Sequence, residues 1–164
     1  MRRLFFLVFA TALISGCGSD SSDGDGAQPK AAAEEKTTKE PKPAAAKGTT
    51  IKPAGSQFGQ ILFDKGGQAI YLFDKEKSAR SECYDECAAA WPPVLTRGEP
   101  QAAGGIDDGL LGTTKRRDGK TQVTYNGHPL YFYAHEGRNE VKCHNVREFG
   151  GLWLVLDGRG DVPS

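Results

Sequence analysis

No charge of either sign dominates this chain of 164 residues: 21 basic side chains are matched by 21 acidic ones, for a net charge of zero. Without a bulk field there is nothing to draw the whole molecule to nucleic acid or an anionic bilayer, so nucleic acid is excluded as an expected partner. A second long apolar run is also lacking, because no stretch beyond Cys17 approaches eighteen hydrophobic residues. Methionine is confined to Met1, which leaves no thioether for a soft metal in the rest of the chain. From Gly18 to Gly55 there is no aromatic residue, and Ile51 is the one large aliphatic. Such a stretch buries too little surface to offset its ordering entropy.

The N-terminus carries what the remainder lacks. Arg2 and Arg3 precede a short apolar run from Leu4 to Leu13, which ends in Ile14-Ser15-Gly16-Cys17. Ten such residues cover about half of a ~30 Å hydrocarbon core, the length of a signal-peptide core rather than a span. Small residues before a cysteine fit a lipobox, whose thiol takes a diacylglycerol thioether. Residues 1–16 are therefore expected to be a lipoprotein signal peptide. Cys17 is the expected lipidation site, with palmitate-type acyl chains holding the mature protein on the extracytoplasmic face of a membrane. Residues 17–55 read as the lipidated cysteine and a disordered tether, whose ~38 residues reach on the order of 35 Å as a coil. The expected location is the cell envelope, on the periplasmic side or the cell surface.

A folded domain is expected over 56–164, large enough for one core. Its pattern is mainly β. Gln60–Phe63 and Gln68–Phe73 flank Asp64-Lys65-Gly66-Gly67 as a hairpin. Leu111–Lys115, Thr121–Tyr125 and His128–Tyr133 form a meander through Asp118-Gly119 and Asn126-Gly127. Leu152–Leu156 is apolar enough to be central in the sheet or covered on both sides. One short helix is expected near 81–91, closed by Pro92-Pro93.

Two pseudo-repeats organise these pieces, repeat 1 at about 58–98 and repeat 2 at about 120–160. Tyr71, Phe73 and Glu76 recur in register as Tyr131, Tyr133 and Glu136. Twelve residues after each tyrosine stands a cysteine, Cys83 and Cys143, and a tryptophan follows each, Trp91 and Trp153. Two copies make neither a solenoid nor a propeller.

Through Ile70-Tyr71-Leu72-Phe73, the Cys83-x3-Cys87-x3-Trp91-Pro92-Pro93 string and Gln122–Tyr131, the domain resembles the secreted-repeat lipoproteins of unknown function, marked by a Tyr-x4-Asp motif. Here Glu76 and Glu136 stand where that family usually carries Asp. The resemblance implies an envelope location and lends no activity.

Read for chemistry, Tyr71 and Tyr131 share a strand parity with Phe73 and Tyr133, so their rings are expected to pack and each hydroxyl to find a partner. Glu76 and Glu136 follow their strands, where a carboxylate accepts backbone N–H bonds in a turn. The other arrangement open to them is a pocket of Tyr and Glu hydrogen-bonding groups around a ligand.

If Cys17 is acylated, Cys83, Cys87 and Cys143 remain, giving one disulfide and one odd thiol in an oxidising compartment. Any of the three pairings is open. Cys83 and Cys87 lie one helical turn apart, while a bond from either to Cys143 closes a loop of about sixty residues. The competing arrangement is a thiol-redox or copper/zinc site of Cys83, Cys87, Cys143 and His144. No nucleophile with a partner base is evident. The expectation is a non-enzymatic binding or structural module without a resident cofactor, its partner the bilayer through acylated Cys17.

Overall fold

The computed structural model describes residues 47–164, so the expected signal peptide, Cys17 and most of the expected tether lie outside the described residues. Among the described residues, nine strands, one short α-helix and one turn of 3-10 helix (Asp108–Leu110) form a single, mainly β domain. The strands are β1 (Lys47–Ser56), β2 (Gly59–Asp64), β3 (Tyr71–Phe73), β4 (Glu99–Ala102), β5 (Leu111–Lys115), β6 (Thr121–Tyr125), β7 (His128–Tyr131), β8 (Val146–Glu148) and β9 (Gly151–Val155), with α1 (Glu86–Ala90) between β3 and β4. They make a three-stranded sheet, β2-β1-β4, and a six-stranded sheet, β5-β6-β7-β3-β9-β8.

The domain starts earlier than its composition suggests. Lys47–Gly55, expected in the tether, belongs to β1, which pairs with β2 along Ile51–Ser56. Its one large apolar side chain, Ile51, is fully buried. Pro53 is tolerated because the partner β4 ends opposite Ile51, leaving the proline with no second neighbour to donate to.

The first hairpin is real at its turn and then opens. Asp64 N donates to Gln68 O at 3.0 Å and Ile70 N to Leu62 O at 3.0 Å, but Tyr71–Phe73 leave β2 to pair with β7 and β9. The meander over β5, β6 and β7 forms as its turns require, with Asn126 and Gly127 both at positive φ, as a two-residue hairpin of this kind demands. β7 stops at Tyr131, two residues short of the expected strand. Even so, Phe132 N and Ala134 N continue the ladder to Pro92 O and Ala90 O. The helix is also shorter than 81–91, because Asp85 takes a positive φ of 53° and Glu82 N and Cys83 N turn toward the Glu76 carboxylate.

Alternation gives the large sheet two buried faces. Phe63, Tyr71, Phe73, Tyr131, Trp153 and Val155 pack on one side with Trp91 and the cysteines. Leu62, Ile70, Leu72, Leu130 and Leu156 pack on the other with Ile51, Val94, Val123 and Tyr125. A strand covered on both faces reads as a continuous apolar run, which is why β9 and Ile70–Phe73 look as they do.

Candidate functional site: the junction of the two repeats

Strand β3 meets β7 with Tyr71 opposite Tyr131 and Leu72 opposite Leu130. Because these tyrosines hold equivalent places in the two repeats, the pairing puts a local two-fold relation between the strands. β9 flanks β3 as the Ala90–Val94 segment flanks β7, with Tyr71 opposite Val155 and Tyr131 bridged to Pro93.

Each tyrosine crosses the junction to the other repeat's carboxylate. The Tyr71 hydroxyl donates to Glu136 Oε1 at 2.5 Å, and the Tyr131 hydroxyl donates to Glu76 Oε1 at 2.6 Å. The same oxygens close equivalent loops. Glu76 Oε1 accepts from Glu82 N at 2.6 Å and Cys83 N at 3.4 Å, and Glu136 Oε1 accepts from Lys142 N at 2.5 Å. Both residues are buried, and the second oxygen of each, Oε2, has no partner. Burial pushes both carboxyls above their usual range, despite the bonds they accept and, at Glu136, the charge of Lys142, and burial beside a carboxylate pushes both tyrosines up.

The aromatic side chains repeat this crossing. Trp91 and Trp153 stack face to face across the junction, with ring centroids 3.9 Å apart and planes 3° apart. Trp153 stacks on Phe73 at 4.3 Å, and Trp91 lies against Tyr133 at 4.7 Å. Each indole also takes the edge of its own repeat's tyrosine, Tyr71 or Tyr131, both at 5.3 Å. Phe73, Trp153, Trp91 and Tyr133 thus form one four-ring column, and all but Tyr133 are wholly buried.

Symmetry ends at the cysteines. Cys83 and Cys87 form a disulfide with Cα atoms 5.3 Å apart, whereas Cys143 is a buried free thiol whose pKa burial raises. Of the three open pairings the chain takes the short one, with Cys83 N held by the Glu76 carboxylate and Cys87 in the first turn of α1. Four residues after Cys143 stands Arg147, so the second repeat has no partner at the place of Cys87. His144 turns its Nδ1 to the backbone of β9, accepting from Val155 N at 3.3 Å, and its ring lies 4.5 Å from Phe58. Cys83, Cys87, Cys143 and His144 are therefore not brought together as ligands, and among the described residues no group of three or more His, Cys, Asp or Glu is placed to hold a metal ion.

A second polar cluster escapes the sequence reading. Arg116 is buried, donating through Nη1 to Gln122 Oε1 at 2.6 Å and through Nη2 to Cys83 O at 2.7 Å. Ser81 Oγ donates to the same Gln122 oxygen at 2.6 Å, and Gln122 Nε2 donates to Leu130 O at 2.7 Å. Its one signal in the sequence is the strand parity that turns Arg116 inward as Lys115 turns outward.

Neither curated proteins nor solved structures yield a match to this chain. A family model does match it twice, over residues 54–95 and 112–157, each match running from two strands ahead of the one that holds the repeat's tyrosine to the segment after its tryptophan. The chain belongs to the family described as a secreted repeat of unknown function, and it carries two copies of that repeat.

Proposed function

We propose that this protein is a lipid-anchored module of the cell envelope whose double-repeat domain binds or scaffolds rather than catalyses. One observation carries the second half of that reading: the side chains best suited to chemistry, Tyr71, Glu136, Tyr131 and Glu76, are paired with one another in the interior. A hydroxyl that donates to a buried carboxylate, with its own pKa raised, serves as a strut and not as a nucleophile. The Cys83–Cys87 bond likewise takes two thiols away from any ligand set. Ile14-Ser15-Gly16-Cys17 supports the first half, since two or three acyl chains on one cysteine hold a protein stably on a bilayer.

The test is mass analysis and fractionation of the full chain from an exporting cell. The protein should start at an acylated Cys17, sediment with membranes and incorporate labelled palmitate, and Cys17→Ser should end all three. Alkylation after unfolding without reductant should modify Cys143 alone, with no metal bound. A Cys17→Ser chain that stays on the membrane would overturn the anchor, and stoichiometric copper or zinc would overturn the binding or scaffolding role.

A further inference from the structure

The charges that cancel over the whole chain do not cancel locally. Around the turn between β5 and β6, Lys47, Arg97 and Lys120 line an open groove of about 760 Å³ together with Thr49, Thr96 and Thr121, and no carboxylate lines it. Beside it a second hollow of about 490 Å³ is lined by Arg80, Lys115, Arg116, Arg117 and Tyr84, with Glu82 as its acid. The two are joined by the hydrogen bond from Lys115 Nζ to Thr121 Oγ1, 2.7 Å long. Of the acids nearby, Glu82 and Glu99, the latter opposite Lys47 in the strand register, make no ion pair, and the other two are engaged. Asp118 is shared between Arg116 at 3.8 Å and Lys120 at 3.5 Å, and Asp85 pairs with Arg117 at 2.9 Å. Lys47, Arg80, Arg97 and Lys115 have no carboxylate at ion-pair distance among the described residues.

Arg116 makes this end a built feature as well as a charged one. It is 4% exposed, its guanidinium sits 4.3 Å from the Tyr84 ring centroid, and its Nε has no hydrogen-bond partner. Arg117 lies over the same ring at 3.8 Å, and its N donates to the Tyr84 hydroxyl at 3.0 Å. One aromatic ring thereby holds two guanidinium groups together that repel one another. Arg116 supplies fixed positive charge under the surface, while Arg117 and the lysines present theirs to solvent.

Lys47 lies in the larger groove, and it is also the described residue nearest in sequence to Cys17. The chain from an anchor at Cys17 enters the domain at this end. We propose that the basic end formed by Lys47, Arg97, Lys120 and the Arg116–Arg117 pair docks on anionic phospholipid headgroups of the membrane that carries the anchor. The choice of that occupant rests on the anchoring reading above. Cations near such a surface each strengthen partitioning by about five-fold, within the ~10 Å over which salt screens them.

The test uses the mature chain with Cys17→Ser, so that acyl chains contribute nothing, in co-sedimentation with vesicles at low salt. It should bind phosphatidylglycerol-containing vesicles, ignore pure phosphatidylcholine, and release as potassium chloride is raised. Lys47→Gln, Arg97→Gln and Lys120→Gln together should weaken binding roughly a hundred-fold. Lys75→Gln, Arg138→Gln and Arg147→Gln, at cations lining neither hollow, should leave it unchanged, with urea midpoints showing that both triple variants fold. Equal binding to both vesicle types, equal loss in both triple variants, or displacement by submillimolar glycerol 3-phosphate would each overturn the docking. The last of these would mark a soluble phosphate site instead. If Cys17 proves unacylated while phosphatidylglycerol binding persists, the anchor falls and the lipid surface stands; the reverse result removes the docking alone.

Discussion

Repeat 1 and repeat 2 are built alike where they touch each other and differ where each faces its own loop. The tyrosine, the carboxylate and the tryptophan keep the same roles in both: Tyr71 with Glu136, Tyr131 with Glu76, and Trp91 on Trp153. The loop after the carboxylate does not keep its chemistry. It is tied by Cys83–Cys87 in repeat 1 and holds the free Cys143 in repeat 2. The indole N–H groups differ too, since Trp91 Nε1 donates to Glu148 Oε2 at 2.9 Å while Trp153 Nε1 has no partner. What recurs is what joins the halves, and the disulfide is a local addition to one of them.

The largest break in that comparison should come from the tryptophans. Trp91→Ala and Trp153→Ala each empty a buried site in the four-ring column and should cost about 3–5 kcal/mol in urea denaturation. Trp91→Ala should cost more, because it also leaves Glu148 without its donor. Near-neutral behaviour of either variant would mean that the column is dispensable.

Next come the carboxylates. Glu76→Ala leaves a buried hydroxyl and two backbone N–H groups unpaired, and Glu136→Ala leaves one of each. At about 1–3 kcal/mol for an unsatisfied buried group, both should be strongly destabilising, with Glu76→Ala the worse of the two by urea midpoint.

Removing the disulfide should do less. Cys83→Ala with Cys87→Ala opens a loop of only four residues, worth about 2 kcal/mol in the chain-entropy model. The cross-repeat bonds that the sequence left open would have closed loops of about sixty residues. A loss well above 3 kcal/mol would show that the bond supports the junction rather than its own loop.

The smallest effect is in pH. A carboxyl whose folded pKa is raised contributes stability below its unfolded value of 4.5, and loses that contribution as pH rises through the folded value. Stability should therefore fall as pH climbs above about 4.5 on account of Glu76 and Glu136. The double variant Glu76→Gln, Glu136→Gln should remove that part of the slope, read as the difference between variant and parent unfolding curves. An unchanged difference at every pH would show that the carboxyls titrate normally.

Much of this fold was legible because period-two alternation and the glycine turns are local signals. Asn126-Gly127 placed β6 and β7, and the apolar run at Leu152–Leu156 placed β9 to within one residue. β1, β4 and β8 were not legible, because Lys47–Ser56, Glu99–Ala102 and Val146–Glu148 hold few apolar residues and two of them contain proline. β1 and β8 each pair with the next strand, but through Gln57-Phe58 and Phe149-Gly150, which are not strong hairpin dipeptides, and β4 pairs with β1 from far along the chain, which no local pattern reports. The same holds for the junction. The spacing of Tyr, Glu, Cys and Trp exposed the repeat, but it is equally compatible with each tyrosine bonding the glutamate of its own repeat. Only the antiparallel meeting of β3 and β7 sends each hydroxyl across.

A pair of double-mutant cycles measures that crossing directly. Tyr71→Phe should couple to Glu136→Gln by about 1–2 kcal/mol in urea denaturation, and should add to Glu76→Gln within about 0.5 kcal/mol. Tyr131→Phe should show the mirror pattern, coupled to Glu76→Gln and additive with Glu136→Gln. Coupling of Tyr71 to Glu76, with additivity to Glu136, would contradict the reciprocal junction.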